Sequence, residues 1–96
     1  MRPSLALELH RATVRQVVSQ SCAVNLRVFG SVLHGTDGEG SDLDLLVDTL
    51  PGATLFDLGG LQEDLQALMG IRVELLTPAD LPPKFRDQVL AEARPV

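Results

Sequence analysis

Residues 30–44 read GSVLHGTDGEGSDLD, and this stretch carries most of the functional information in the 96-residue chain. It follows a short run of apolar and β-branched residues, 25–29, which predicts a strand that ends at Gly30 and Ser31. Glycine lets a phosphate approach the backbone, and the N–H groups at the start of a following helix attract anions. Taken alone, however, a Gly-Ser pair after a strand is most often only a turn.

Two aspartates close this stretch. Residues 42–48, DLDLLVD, alternate so that Asp42 and Asp44 share one face of a predicted strand while apolar residues form a single buried face opposite. The two Cα atoms then lie roughly 6.5 to 7 Å apart. A hard divalent cation such as Mg²⁺ would turn the repulsion between the carboxylates into coordination. A solvated polar face is the alternative, because Asp48 continues the same alternation.

A third carboxylate, Glu74, lies on another predicted strand, residues 71–76, with apolar residues on its opposite face. If this strand lies beside that of Asp42 and Asp44, the three acids meet on one sheet face. If it does not, Glu74 is an ordinary exposed strand residue next to Arg72. The sequence by itself leaves both interpretations open.

Helical periodicity predicts helices at residues 4–21, 55–69 and 84–93. The first has an apolar stripe of Leu5, Leu9, Val14, Val17 and Val18, and the second a stripe of Leu58, Leu61, Leu65 and Leu68. The pair of glycines at 59 and 60 weakens the start of the second helix, whose firm part begins near residue 61. Residues 77–80 resemble a capping box that opens a short turn. This order of elements predicts one small α/β domain over residues 1–96, with a three- or four-stranded sheet.

Composition argues against several classes of function. Eight basic residues against 13 acidic ones give a net charge of -5, and aromatic residues make up 3%, so direct binding to nucleic acid is not expected. The only cysteine, Cys22, cannot form an internal disulfide. The sequence contains neither a long apolar run nor a signal-peptide pattern, which favours a cytoplasmic protein without a membrane partner.

The spacing Gly30-Ser31, ten residues, Asp42, one residue, Asp44 resembles the Gly-Ser-x10-Asp-x-Asp motif of the DNA polymerase β-like nucleotidyltransferase superfamily. The small size and the DLLVD segment resemble its minimal nucleotidyltransferase (MNT) branch, and the similarity runs over about residues 28–77. The resemblance implies the small α/β (α+β) nucleotidyltransferase fold, in which helices flank a mixed sheet.

The same resemblance implies roles for the site residues. Gly30 and Ser31 would hold the β- and γ-phosphates of ATP, and Asp42 and Asp44 would bind Mg²⁺, with two ions expected. Glu74 matches the third acid, which helps bind a metal and can activate the attacking hydroxyl, although the family more often has Asp there. A side chain at Gly30 is expected to block the phosphate without unfolding the domain.

MNT proteins are similar to the MntA-type antitoxin half of HEPN/MNT toxin–antitoxin pairs. The resemblance implies Mg²⁺-dependent transfer of AMP from ATP to a tyrosine hydroxyl of a HEPN RNase toxin, within a hetero-oligomer. Two alternatives stay open. One is an antitoxin that acts by occlusion without catalysis, and the other is a nucleotidyltransferase for a small molecule, which would need no protein partner.

Overall fold

The computed structural model describes all residues from Met1 to Val96. Its helices are α1 (Pro3–Ser19), α2 (Gly30–His34), α3 (Leu55–Met69) and α4 (Pro83–Glu92), and its strands are β1 (Ala23–Phe29), β2 (Leu43–Thr49), β3 (Val73–Leu76) and β4 (Arg94–Pro95). A 3-10 turn covers Pro78–Asp80. The predicted elements are all present with small shifts at their ends. Strand β4 was not predicted, because two residues are too few to show a periodicity.

The four strands form one mixed sheet in the order β3-β2-β1-β4. The central strand β2 runs antiparallel to β1 and parallel to β3, and β4 runs antiparallel to β1 on the outer side. Helix α3 provides the crossover that a parallel β2–β3 pair requires. The mixed four-stranded sheet with flanking helices confirms the α+β fold expected from the sequence.

The main core lies between one face of the sheet and the pair α1 and α3. Leu43, Leu45 and Val47 of β2 are completely buried in it, as their alternation predicts. Helix α3 begins at Leu55, where Thr54 and Asp57 form a capping box, so the two glycines do not delay its start. None of the helices has the length and apolar character needed to cross a membrane.

The apolar stripe predicted for α1 is wrong at its N-terminal end. Leu5 and Leu9 are 50% and 62% exposed, whereas Leu7, Val14 and Val18 are buried. The reason is helical geometry: Leu5 lies nine residues before Val14, which is about two and a half turns at 3.6 residues per turn. Leu5 is therefore on the opposite side of the helix from Val14.

Strand β2 is also buried on more than one face, contrary to the sequence-based interpretation. Leu46 shares its face with Asp44 and Asp48 by alternation, yet it is fully buried and lies outside the main core cluster. The 3-10 turn contacts β2, and Leu81 directly after it is buried as well. The middle of the second face is therefore covered, while Asp44 and Asp48 on either side of Leu46 are only partly buried.

The outer edge of β3 is closed by side chains of α3. The amide oxygen of Gln66 accepts a hydrogen bond from Val73 N–H, and that of Gln62 accepts one from Leu75 N–H, both at 3.0 Å. These bonds satisfy donors that an edge strand otherwise leaves free for another chain. They also hold α3 in register with β3, the strand that carries Glu74.

Candidate active site

The pairing of β2 with β3 brings two of the predicted acids together. Asp44 and Glu74 face each other in the parallel register, and Asp42 lies immediately before β2. A hydrogen bond of 2.9 Å from Leu43 N–H to the carbonyl of Arg72 extends the pairing toward Asp42. The register therefore places Glu74 beside Asp44, while the meeting of all three acids in one site stays a prediction.

The surroundings of Asp44 oppose its ionisation. Burial, the negative charge of Glu74, a hydrogen bond with Glu74 and the charge of Asp42 together raise the pKa of Asp44 to about 6. A carboxylate whose pKa is raised by like charges lies in a region of negative potential. Such a region attracts a divalent cation.

Asp42 has a different partner. One of its carboxylate oxygens lies 3.4 Å from Nε of Arg72, a side chain that is 82% exposed. No three His, Cys, Asp or Glu side chains of the structure are arranged as a metal-binding cluster. The three acids supply the oxygen donors that Mg²⁺ prefers. The contact between Asp42 and the exposed Arg72 contributes little, because exposed ion pairs are weak.

Gly30 packs against Asp44. Its φ of +72° lies in the left-handed region, and a Cβ built on it would stand 3.0 Å from Cγ of Asp44 and overlap Oδ2. Both the backbone conformation and the close carboxylate therefore disfavour a side chain at Gly30. The overlapping atom, Oδ2, is the far end of a flexible side chain that can shift, so the expectation that a side chain at Gly30 leaves the domain folded stays a prediction.

Ser31 follows Gly30 in the first turn of α2, where backbone N–H groups lack partners within the helix. Its side chain is partly buried, and the helix ends at Gly35.

His34 lies 3.1 Å from Glu92 of α4, so it joins two helices at the surface. Ser41 accepts a hydrogen bond from Gly38 N–H within the loop. The Ser41 hydroxyl is therefore engaged within its own loop.

Asp48 does not belong to the acidic group. Its carboxylate accepts hydrogen bonds from Arg27 at 3.0 Å and from Asn25 at 2.9 Å. Asn25 adopts a positive φ of 57° where the β1–β2 register shifts. The alternation of Asp42, Asp44 and Asp48 therefore splits into an acidic group at one end and a neutralised ion pair at the other.

Asp37 is a buried carboxylate that the sequence interpretation missed. It accepts a hydrogen bond of 2.9 Å from Ser4 N–H and lies 3.5 Å from the guanidinium of Arg2. The hydrogen bond from Ser4 lowers the pKa of Asp37, with a smaller contribution from the charge of Arg2. Asp37 therefore caps α1 and anchors the loop that leads to Asp42. A contact across 33 positions leaves no local signal.

The model of the nucleotidyltransferase domain family matches residues 10–96. The chain belongs to this family. A protein of Methanocaldococcus jannaschii, provisionally named a protein adenylyltransferase, is 36% identical over 66 residues, which are 69% of this chain and 71% of the relative. The protein adenylyltransferase MntA of Thermococcus cleftensis is 40% identical over 65 residues, which are 68% of this chain and 66% of that protein.

Solved structures agree with this family. One described provisionally as a minimal nucleotidyltransferase has a TM-score of 0.85 and 42% identity, covering 97% of this nucleotidyltransferase domain and 95% of its own chain. A chain from a toxin–antitoxin complex with AMP-PNP has a TM-score of 0.74 at 17% identity, covering 88% and 69%. The second likeness is one of fold alone. Together, the comparisons identify a minimal nucleotidyltransferase domain that resembles MntA.

Proposed function

We propose that this nucleotidyltransferase domain transfers AMP from ATP to a hydroxyl group of a toxin protein and thereby neutralises the toxin. The observation that carries the proposal is the meeting of Asp44 and Glu74 across β2 and β3, directly beside Gly30 and Ser31. The names of the two relatives, both protein adenylyltransferases, support a protein as acceptor.

Asp42, Asp44 and Glu74 are the residues that would hold Mg²⁺, with two ions expected. Bound Mg²⁺ supplies charge neutralisation at the triphosphate and lowers the pKa of the acceptor hydroxyl. Because the pKa of Asp44 is raised, a nearby cation would favour its ionised form.

Gly30 and Ser31 would bind the β- and γ-phosphates of ATP. The first turn of α2 offers backbone N–H donors, and the Ser31 hydroxyl adds one more. The α-phosphorus would then lie toward the acids, where the acceptor oxygen forms a new bond to it and pyrophosphate leaves.

Glu74 is proposed as the group that receives the acceptor proton. Glu74 lies opposite Asp44 in the parallel register, and its charge helps to raise the pKa of Asp44. Glu is one methylene longer than the Asp that the family more often has. Glu74→Asp shortens the side chain and keeps its charge, whereas Glu74→Gln keeps its length and removes the charge. We expect Glu74→Gln to lose more activity than Glu74→Asp.

The proposed acceptor is a tyrosine of a HEPN-type RNase toxin, held with this chain in a hetero-oligomer. Purified chain, ATP, Mg²⁺ and a HEPN-type toxin are incubated, and intact-mass spectrometry follows the toxin. We expect the toxin to gain the mass of one AMP for each hydroxyl modified. Asp42→Ala with Asp44→Ala is expected to abolish the gain while the two proteins still bind, and Asp87→Ala on α4 serves as an exposed-carboxylate control.

Occlusion without catalysis is the second candidate, favoured by the Asp42–Arg72 ion pair and by Glu at position 74. A toxin that is neutralised by the wild-type chain without any mass gain would establish occlusion. Modification of a small molecule in place of a protein would instead retain the nucleotidyl transfer and refute the toxin as acceptor.

A further inference from the structure

Two adjacent side chains at the start of α3 are the most exposed large apolar groups of the molecule. Phe56 is 92% exposed and Leu55 is 81% exposed. Single exposed apolar residues are common on proteins, but these two are neighbours in the chain, and Phe56 lines a groove. We propose that the α3 surface, meaning Leu55, Phe56 and this groove, docks a basic amphipathic helix of the protein partner. This inference rests on the proposed function, because it assigns the surface that holds the toxin.

The groove lies between the C-terminal end of α1 and the first half of α3, and has a volume of about 550 Å³. Val17 and Leu61 give it apolar walls, and Phe56 stands at its side. Pockets of a few hundred Å³ accommodate large apolar groups. A leucine or phenylalanine of a partner helix would remove both the groove and Phe56 from water, which is the main source of binding energy at such an anchor.

The backbone of α3 is open to close approach at this surface. Gly60 lines the groove, and a Cβ built on Gly59 or Gly60 would meet no other atom within 4 Å. Two glycines lower helix stability, and nothing inside the chain packs against them. A partner helix that lies over α3 can therefore approach its axis more closely than side chains would allow.

The charge of the surface selects the partner. Asp57 and Asp64 line the groove, Glu63 adjoins them, and α3 contains no lysine or arginine. Asp57 is occupied in the capping box, whereas Glu63 and Asp64 take part in none of the six ion pairs of the chain. Complementary charge steers association and excludes wrong partners. An apolar anchor flanked by lysine or arginine fits this surface.

The α3 surface lies on the opposite side of the sheet from the acids. Leu61 packs in the core with Leu43 and Leu45, while the alternating Asp44 and Glu74 point away from that core. Docking and nucleotidyl transfer are therefore separable. The molecule measures 19 Å along its shortest axis, and a helix of about 20 residues spans about 30 Å. A helical partner held at α3 is thus long enough to present an acceptor on the other side.

The test measures binding of a purified HEPN-type toxin by calorimetry, together with the affinity for ATP and Mg²⁺. Phe56→Asp is expected to weaken toxin binding about tenfold or more, as for a central apolar anchor. Asp64→Lys is expected to weaken it and to reduce its dependence on salt. Phe85→Asp and Asp87→Lys on the exposed helix α4 are the matched controls and keep wild-type affinity. All four variants retain nucleotide binding, and a thermal melt verifies their folding.

Several results would overturn the docking site. Wild-type affinity of Phe56→Asp for the toxin refutes it while the proposed function stands. Size-exclusion chromatography with light scattering that shows a dimer of this chain, converted to monomer by Phe56→Asp, assigns the surface to a second copy instead. A wild-type chain that never binds the toxin refutes the docking site and the proposed partner together. Binding through α3 without transfer of AMP confirms the docking site and refutes the catalytic half of the proposed function.

Discussion

Asp44 lies where burial and two neighbouring carboxylates oppose its charge, so we expect its ionisation to lower the stability of the folded chain. Its pKa of about 6 in the fold lies above the ordinary value of 3.8 for an aspartate. The stability contributed by the protonated form is therefore complete below pH 3.8 and is lost as the pH rises through 6. Asp44→Asn removes the charge, so its melting temperature should exceed that of the wild type at pH 7.5 without metal.

The measurement is thermal unfolding between pH 4.5 and 8 in the presence of a chelator. The difference between Asp44→Asn and the wild type should grow as the pH rises through about 6. Asp87→Asn, an exposed carboxylate of α4, should show no such growth. A constant difference across this range would mean that Asp44 is not held among unfavourable charges.

We expect any side chain at Gly30 to lower the free energy of unfolding in two ways, through strain at the positive φ and through overlap with Asp44. Gly30→Ala should lower the free energy of unfolding by about 1–3 kcal/mol. Gly35→Ala is the matched control, because Gly35 has a φ of +71° with open space around its Cβ direction and incurs strain alone. Urea unfolding of both variants separates the two costs.

A double-mutant cycle isolates the overlap. In an Asp44→Ala background the carboxylate is absent, so Gly30→Ala should cost less than in the wild type. An equal cost in both backgrounds would show that Gly30 is required by its φ alone.

Asp37 differs from Asp44 because the fold lowers its pKa, so its ionised form stabilises the folded chain. Asp37→Ala removes the acceptor of Ser4 N–H and should lower the free energy of unfolding by about 1–3 kcal/mol at pH 7. Since the folded pKa lies below 3.8, this contribution is present above pH 3.8 and is lost as the pH falls through the folded value. Glu39→Ala, which breaks an exposed ion pair with the N-terminus, is the control and should change little. Equal effects of the two variants would contradict the capping role.

At the scale of elements, α3 combines a strong start with a weak first half. The capping box of Thr54 and Asp57 starts the helix, and the side-chain amides of Gln62 and Gln66 join it to β3. Gly59 lies between these two regions with space for a side chain. The helix therefore relies on its ends and on tertiary contacts more than on intrinsic propensity.

Gly59→Ala should raise the free energy of unfolding by about 0.5–1 kcal/mol, because alanine loses less backbone entropy in a helix. Urea denaturation measures the change. Gly70→Ala, at the C-cap with a φ of +68°, should instead lower stability. Destabilisation by Gly59→Ala would mean that the first half of α3 is strained or occupied by a neighbour.

At the scale of the whole molecule, stability and ligand binding are linked. The acids destabilise the metal-free chain through Asp44, so a nucleotide bound with Mg²⁺ should stabilise it by mass action. A non-hydrolysable ATP analogue with Mg²⁺ should raise the melting temperature of the wild type, and removal of Mg²⁺ by a chelator should reverse most of the rise. Asp42→Asn should show a much smaller rise than Asp87→Asn. An equal rise without Mg²⁺ would contradict a metal-dependent nucleotide site.

Sequence by itself determined the parts of this protein that depend on local geometry. Alternation with period two predicted that Asp42 and Asp44 share a face and that Leu43 and Leu45 are buried, because successive side chains of a strand point to opposite sides. The spacing of Gly30-Ser31 and the aspartates identified the nucleotidyltransferase family, since that motif lies within 15 consecutive residues.

Tertiary structure alone decided the contacts between distant residues. The register of β2 and β3 places Glu74 opposite Asp44, the approach of α2 to β2 brings Gly30 against Asp44, and the loop after α2 brings Asp37 to Ser4. Packing also selected which side of α1 is buried and left Leu5 exposed. Each of these depends on how separate elements come together in space, and that packing has no repeat along the chain from which it could be predicted.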